Sequence, residues 1–386
     1  VVIDYQAPRT RIVAGIDSHR QLPGLLDSVG SSGAFVICGG TVGRGPQLAA
    51  VRSVLGERLV GVYDEVRPHG GDVGLLQAAK RVRASGAGAV ISIGGGAVID
   101  SAKFVVLALS TPTDVRDHCL RKIGQPTSER AMLTGTAVAH IAIPTTTGSS
   151  SEVMPSAGIR DAANREKVLY RDPLLVPDLA VLDPILTVET GPELTATSGA
   201  TAIARSIEAL YSLKGTPFTA ANAVLSLRLM NSGLPASIEN GADLDARHDA
   251  LLGSVLSGFA ANGAGAALVH AIGHAVAGML ALQHGIAHRI VLPPVARLLL
   301  PHAQATPAQL ADALGSEVPR PDMDHVAVLL GELLDRLPMP ARLREVGVSR
   351  DDLDELAART AREPMMHAVP GSFSVAEIRA LLEECW

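Results

Sequence analysis

Three short apolar runs rich in β-branched residues, AFVICGG (34–40), AVISIGGG (89–96) and HIAIPTTTG (140–148), end in glycine or in small hydroxyl residues. Apolar runs without an alternating polar face suit strands buried on both sides of a parallel sheet. Between the first two, DVGLLQAAKRVRASGAG (72–88) spaces its apolar residues as one helical face and stops at glycine. Strand–helix–strand alternation predicts an α/β layered domain. Asp183–Pro184 marks a turn, and from about Leu194 the pattern changes. ATSGATAIARSIEALY, TAANAVLSLRLMNSGL and DARHDALLGSVLSGFAAN carry helical periodicity with no strand-like alternation. The expectation is an α/β domain over 1–184 followed by an all-helical domain over 185–386.

A chain of 386 residues has the material for two such domains. Hydrophobic residues make up 47% and charged residues 19%, which excludes disorder as the dominant state. A formal charge of −6 with no Lys/Arg cluster speaks against nucleic-acid binding. Cys38, Cys119 and Cys385 are too few and too scattered for a disulfide scaffold or a cysteine zinc site, so a reducing cytoplasm is expected. VVIDYQAPRTRIVAG lacks the pattern of a signal peptide. The stretch between Asp249 and Arg289 holds no Asp, Glu, Lys or Arg, a length that could span a bilayer. It also holds Asn262, His270, His274, Gln283, His284 and several glycines, so it reads as buried helices rather than a membrane span.

Three segments carry candidate chemistry. GGGAVIDSAK (94–103) follows a predicted strand and opens a predicted helix. Its glycines let a pyrophosphate approach the main chain, and the helix start adds N–H donors. A tight turn alone would also explain them. PTTTGSSSEV (144–153) clusters the hydroxyls of Thr145, Thr146, Thr147, Ser149, Ser150 and Ser151. These suit phosphate, ribose or carboxamide groups, or simply a polar capping loop. In HAIGHAVAGMLALQHGIAH (270–288), His270 and His274 form one i, i+4 pair and His284 and His288 another. A lone histidine there would read as a buried, hydrogen-bonded residue, but four together argue for a functional site.

Together these segments resemble the iron-containing (group III) alcohol dehydrogenase superfamily over nearly the whole chain. The glycine segment resembles that family's GGGSxxDxAK, with Ala97 for the serine, and PTTTGSSSEV resembles PTTAGTGSEV. KVLYRDPLLVPDLAVLDP (167–184) matches the stretch closing the nucleotide domain, and His270 and His284 keep the family's fourteen-residue separation. The resemblance implies a dinucleotide-binding α/β domain with a parallel sheet and an all-α catalytic domain. It implies pyrophosphate at Gly94, Gly95, Gly96 and Ala97, with Asp100 and Lys103 on the helix behind. Thr145, Thr146 and Ser149 would line nicotinamide and phosphate groups, and Lys167 would lie near the ribose. At the adenosine ribose, Cys38, Gly39 and Gly40 offer no acid, so the cofactor is NADP or NAD with NADPH favoured.

The same resemblance exposes a departure. The family holds its metal with an Asp and a His four apart on the first helix of the second domain, plus two later histidines. Here the first two positions are Thr201 and Arg205. A guanidinium has no lone pair to donate and repels a cation, so no catalytic metal is expected. The metal-independent maleylacetate reductase branch resembles this chain in TSGxxAIAxxIEALY, DARHDALLGS (245–254) and LGERLVGVYDEV (55–66), although that branch generally retains the histidine replaced by Arg205. The expected activity is NAD(P)H-dependent reduction of a carbonyl on a carboxylate-bearing or other anionic small molecule. Arg205 would take the developing charge, with His270 or His274 donating a proton, His284 orienting substrate and Thr201 beside them. The plain alternative for Arg205 is an ion pair with Glu208 or Asp249. The alternative for the chain is a dehydroquinate synthase-like lyase or cyclase that uses the bound dinucleotide without net redox change. A non-catalytic binding protein is a third reading. Family members commonly form dimers, so a homodimer is expected, without nucleic acid or membrane as partner.

Overall fold

A computed structural model describes residues 3, 5–67, 71–122, 132–161, 167–280 and 282–386. The chain forms two compact units, an α/β unit (Pro8–Thr146 with Ser150–Glu189) and a helical unit (Thr190–Trp386 with Val1–Ala7 and Thr147–Ser149).

The α/β unit is built on β1 (Arg11–Ala14), β2 (Ala34–Gly39), β3 (Leu59–Val66), β4 (Ala89–Gly94), β5 (Cys119–Lys122), β6 (Ala139–Pro144), β7 (Ser156–Arg160), β8 (Lys167–Arg171) and β9 (Leu179–Leu182). Six of these, in the order β1-β9-β6-β4-β2-β3, pair in parallel throughout. Successive side chains of a strand face opposite sides of the sheet. Phe35, Ile37 and Val90 accordingly join one core, while Ala34, Val36, Cys38, Ala89, Ile91 and Ile93 join the other. Helices α1 (Leu22–Ser28) and α3 (Pro46–Leu55), with the short α2 (Gly40–Arg44) before α3, contribute Leu22, Leu26, Leu48 and Val51 to the second core. Helices α4 (Asp72–Ser85) and α5 (Gly96–Ser110) contribute Leu75, Val82, Phe104 and Val105 to the first. Cover on both faces explains why the strands read as continuous apolar runs.

The strands predicted over 34–40, 89–96 and 140–148 are β2, β4 and β6. The last stops at Pro144, so the hydroxyl residues that follow belong to a loop. A second, antiparallel sheet in the order β5-β8-β7 has no counterpart in the sequence reading.

The helical unit comprises α6 (Pro192–Tyr211), α7 (Pro217–Glu239), α8 (Leu244–Ala264), α9 (Leu268–Leu280), α10 (His284–Leu299), α11 (Pro307–Ala313), α12 (Met323–Asp335), α13 (Asp352–Ala361) and α14 (Val375–Cys385). Helix α6 is buried along most of its length, and its alanines, serines and Gly199 let neighbouring helices approach closely. Among the described residues no single helix is long and apolar enough to cross a membrane. The uncharged stretch is broken where α8 and α9 meet at 103°.

His140, on β6, is buried and bonded through Nε2 to Ser92 Oγ at 2.9 Å. Burial, and then the positive charge of Lys103, push its pKa down to about 3. Unfolded, the same imidazole titrates near the ordinary 6.5. The native state therefore keeps His140 neutral, and its contribution is complete above pH ~6.5 and lost as pH falls from there toward 3. In urea unfolding across that window, His140→Gln should lose stability less steeply than wild type, by up to about 1.4 kcal/mol per pH unit. Identical slopes would refute this.

Candidate active site

In the α/β unit, β4 runs directly into Gly94, Gly95 and Gly96. Gly94 has φ 155°, and a Cβ there would stand 2.7 Å from the side chain of Val98. Only glycine satisfies both conditions. Helix α5 then starts without a side-chain cap on its first N–H groups, and Ala97 lies exposed in its first turn. Beside this loop, the Thr145 N–H donates to the Gly94 carbonyl at 3.1 Å, and the Thr146 side chain packs 3.2 Å from the point a Gly95 Cβ would occupy. The glycine segment and the first hydroxyls are thus brought together.

Asp100 and Lys103 face the protein itself. Lys103 is fully buried, and its Nζ donates to Ser151 Oγ (2.9 Å), the Met154 carbonyl (2.8 Å) and the Ser156 carbonyl (2.9 Å). Asp100 accepts from Ser151 Oγ and from the Gly158 N–H (2.9 Å), with Lys103 at 3.7 Å. The pair fixes the 151–158 segment onto α5. Lys167 opens β8, but its side chain lies outside the described residues.

In the helical unit, three buried helices each present residues at helical spacing. Helix α6 carries Thr201, Arg205 and Glu208; α9 carries His270 and His274; α10 carries His284 and His288. Residues three and four apart share one helix face, and here the faces meet. The imidazole of His270 lies 4.3 Å from that of His288, His288 lies 6.2 Å from His284, and His284 lies 5.4 Å from His274. Thr201 Oγ1 stands 3.3 Å from His288 Nδ1.

Glu208 is fully buried and belongs to His270. It accepts from the His270 backbone N–H at 3.0 Å, and its other oxygen lies 2.5 Å from His270 Nδ1. His274 Nδ1 lies 3.5 Å from the Glu363 carboxylate. Arg205 donates to the Gly148 carbonyl at 2.6 Å. Glu208 is therefore committed to a histidine and not to Arg205, and Asp249 lies 3.4 Å from Ser232 Oγ. His288, completely buried, has its pKa driven well below the usual imidazole range by burial and then by His270, His284, Arg205 and His274. Arg205 is thus one of the neighbours that bear on His288. Glu208 and Glu363 are the members that sequence reasoning missed in this role. The i, i+4, i+7 spacing of Thr201, Arg205 and Glu208 was the one signal for the first, and none existed for the second.

Residues 8–184 match the family model described as iron-containing alcohol dehydrogenase, and residues 195–386 match the model for the C-terminal part of the Fe-containing alcohol dehydrogenase family. The chain belongs to the iron-containing alcohol dehydrogenase family. It is an enzyme of the oxidoreductase class. Relatives include the NAD-dependent methanol dehydrogenase of Bacillus methanolicus, 28% identical over 84% of this chain and 84% of that one. The 1-propanol dehydrogenase PduQ of Salmonella typhimurium is 30% identical over 73% of this chain and 71% of its own. Among solved structures, maleylacetate reductase from Agrobacterium tumefaciens superposes with a TM-score of 0.82 at 28% identity, covering 100% of this chain and 98% of that one. The family's name implies iron. Among the described residues, no three His, Cys, Asp or Glu side chains are grouped as ligands of one ion.

The Lys103 latch is open to test. Lys103→Met should cost about 1–3 kcal/mol in urea unfolding, because it leaves the Met154 and Ser156 carbonyls without their donor. A loss under ~1 kcal/mol would show that segment 151–158 is held by other contacts.

Proposed function

We propose that this enzyme interconverts a carbonyl and an alcohol with a nicotinamide dinucleotide, without a catalytic metal ion, on a substrate bearing a carboxylate or another anionic group. The observation that carries this reading is a guanidinium, Arg205, on the helix face that meets a cluster of four imidazoles. Fe²⁺ or Zn²⁺ does not fit that donor set. Thr201 offers an uncharged hydroxyl already directed at His288, and Arg205 offers positive charge and no lone pair.

A dinucleotide suits the glycine loop after β4 and the hydroxyl segment that follows β6. Gly94, Gly95, Gly96 and Ala97 would hold the pyrophosphate, with Thr145, Thr146 and Ser149 about the nicotinamide and phosphates, Lys167 near the ribose and Gly40 at the adenosine end. The NAD-dependent methanol dehydrogenase supports such a cofactor, and maleylacetate reductase supports an anionic substrate. When bound, the reduced cofactor supplies a hydride to the carbonyl carbon. The protein must then stabilise negative charge on oxygen and deliver a proton to it. Arg205 answers the first need by hydrogen-bonding the oxygen or an adjacent anionic group in a fork. His270 answers the second: with Nδ1 held by Glu208, Nε2 is the atom left to pass the proton. His274 lies beside Glu363 as a second imidazole, and His284 would orient the substrate.

Three experiments test this reading. Arg205→Ala should lower kcat by about 10²–10³-fold, the cost of one oxyanion donor, while dinucleotide binding persists. Wild-type turnover should survive chelation. Activity abolished by EDTA and restored by Fe²⁺ or Zn²⁺ would overturn metal independence, and product formed at constant NAD(P)H absorbance would favour the lyase or cyclase reading. Glu208→Gln should lower kcat by about 10²–10⁴-fold with KM nearly unchanged. A matching rise in KM with kcat intact would mean that Glu208 serves substrate binding and not proton transfer.

A further inference from the structure

We propose that Arg44 selects the cofactor, its guanidinium receiving the 2′-phosphate of NADP. This rests on the dinucleotide reading above and adds the residue that decides between the two cofactors. β2 and β4 are adjacent parallel strands, with Cys38 opposite Ile93. The backbone leaving β2 therefore lies one strand spacing, about 4.8 Å, from the glycine loop leaving β4. In doubly wound folds the adenosine ribose is read at the end of that neighbouring strand, by an acid for a free 2′-hydroxyl or an arginine for a 2′-phosphate.

The segment Cys38–Gly45 contains no acid. Gly39 ends β2 and Gly40 opens α2. Four residues on, the exposed Arg44 curls back along α2, so that its terminal nitrogens stand 3.3 and 3.5 Å from the point a Gly40 Cβ would occupy. The guanidinium fills the space that glycine leaves, and any side chain at position 40 would displace it. Among the described residues Arg44 forms no ion pair. The neighbouring acid, Asp64 on β3, packs against Gly43 instead, with Oδ2 2.9 Å from the Cβ position there. A guanidinium with two N–H groups directed to one side matches two oxygens of a phosphate monoester.

Calorimetric titration of the full chain with NADP and with NAD tests the assignment. Wild type should bind NADP more tightly than NAD. Arg44→Ala should lower the NADP:NAD affinity ratio by about 10- to 100-fold, the range of a charge-assisted hydrogen-bonded pair. Arg44→Lys, which keeps the charge but loses the fork, should fall between, and Gly40→Asp should reverse the preference. Arg52→Ala removes the same charge from an exposed position on α3 and should leave the ratio at its wild-type value. A wild-type preference for NAD, or a ratio unchanged by Arg44→Ala, would overturn the role of Arg44 and leave the dinucleotide site standing. Failure of both dinucleotides to bind would overturn the dinucleotide reading itself.

Discussion

A carboxylate with no exposure to water, Glu208, has to be matched by hydrogen-bond donors or it costs several kcal/mol of desolvation. His270 supplies both donors, one from its backbone and one from its ring. That single pairing ties α6 to the start of α9, fixes which ring nitrogen of His270 faces inward, and orients the helix face carrying Arg205. Replacing Glu208 by an apolar residue would remove the desolvation cost but also the reason for His270 to hold its ring in this orientation. The second pair, Thr201 with His288, works on the other side of the same helix face without charge. Burial, and then the neighbouring histidines and Arg205, hold the His288 pKa well below the usual imidazole range, so a charged residue opposite it is not required.

The α/β unit solves a comparable problem with a cation. Lys103 is as deeply buried as Glu208, and its ammonium is satisfied by one hydroxyl and two carbonyls from a segment that leaves the sheet after β6. Both charged groups hold segments distant in sequence. Each also lies one shell behind residues with candidate chemistry: Lys103 behind the hydroxyl loop and Glu208 behind His270. Ordering the outer residues in this way lowers the entropy that binding would otherwise have to remove.

How much of this was legible in the sequence follows from the range of each interaction. The strands β2, β4 and β6 and the helices α4 to α8 were readable because burial on a sheet face or helix stripe imposes a local period. The two histidine pairs were readable for the same reason, as i, i+4 neighbours. The antiparallel sheet of β5, β7 and β8 was not, because its short strands are specified by pairing rather than by a run of apolar residues. Glu208 with His270, and Lys103 with Met154 and Ser156, were not legible either. Their partners lie 62, 51 and 53 residues away, and a lone charged residue in a helix reads locally as solvated.

A guanidinium in the place of an ion site, as proposed for Arg205, changes more than the charge. A divalent ion polarises any oxygen that reaches it, so its selectivity comes from the walls around it. A guanidinium offers directed N–H groups in a plane and discriminates by geometry, favouring planar, bidentate anions. It also cannot lower the pKa of a bound alcohol by coordination, so in the proposed reaction proton transfer would fall to the histidines. The carboxylate behind His270 then becomes more consequential than in a site where an ion dominates the local field. Under that proposal, Arg205 and Glu208 on one helix face would couple substrate charge to proton handling through a single element, and a change at either residue would be felt at the other.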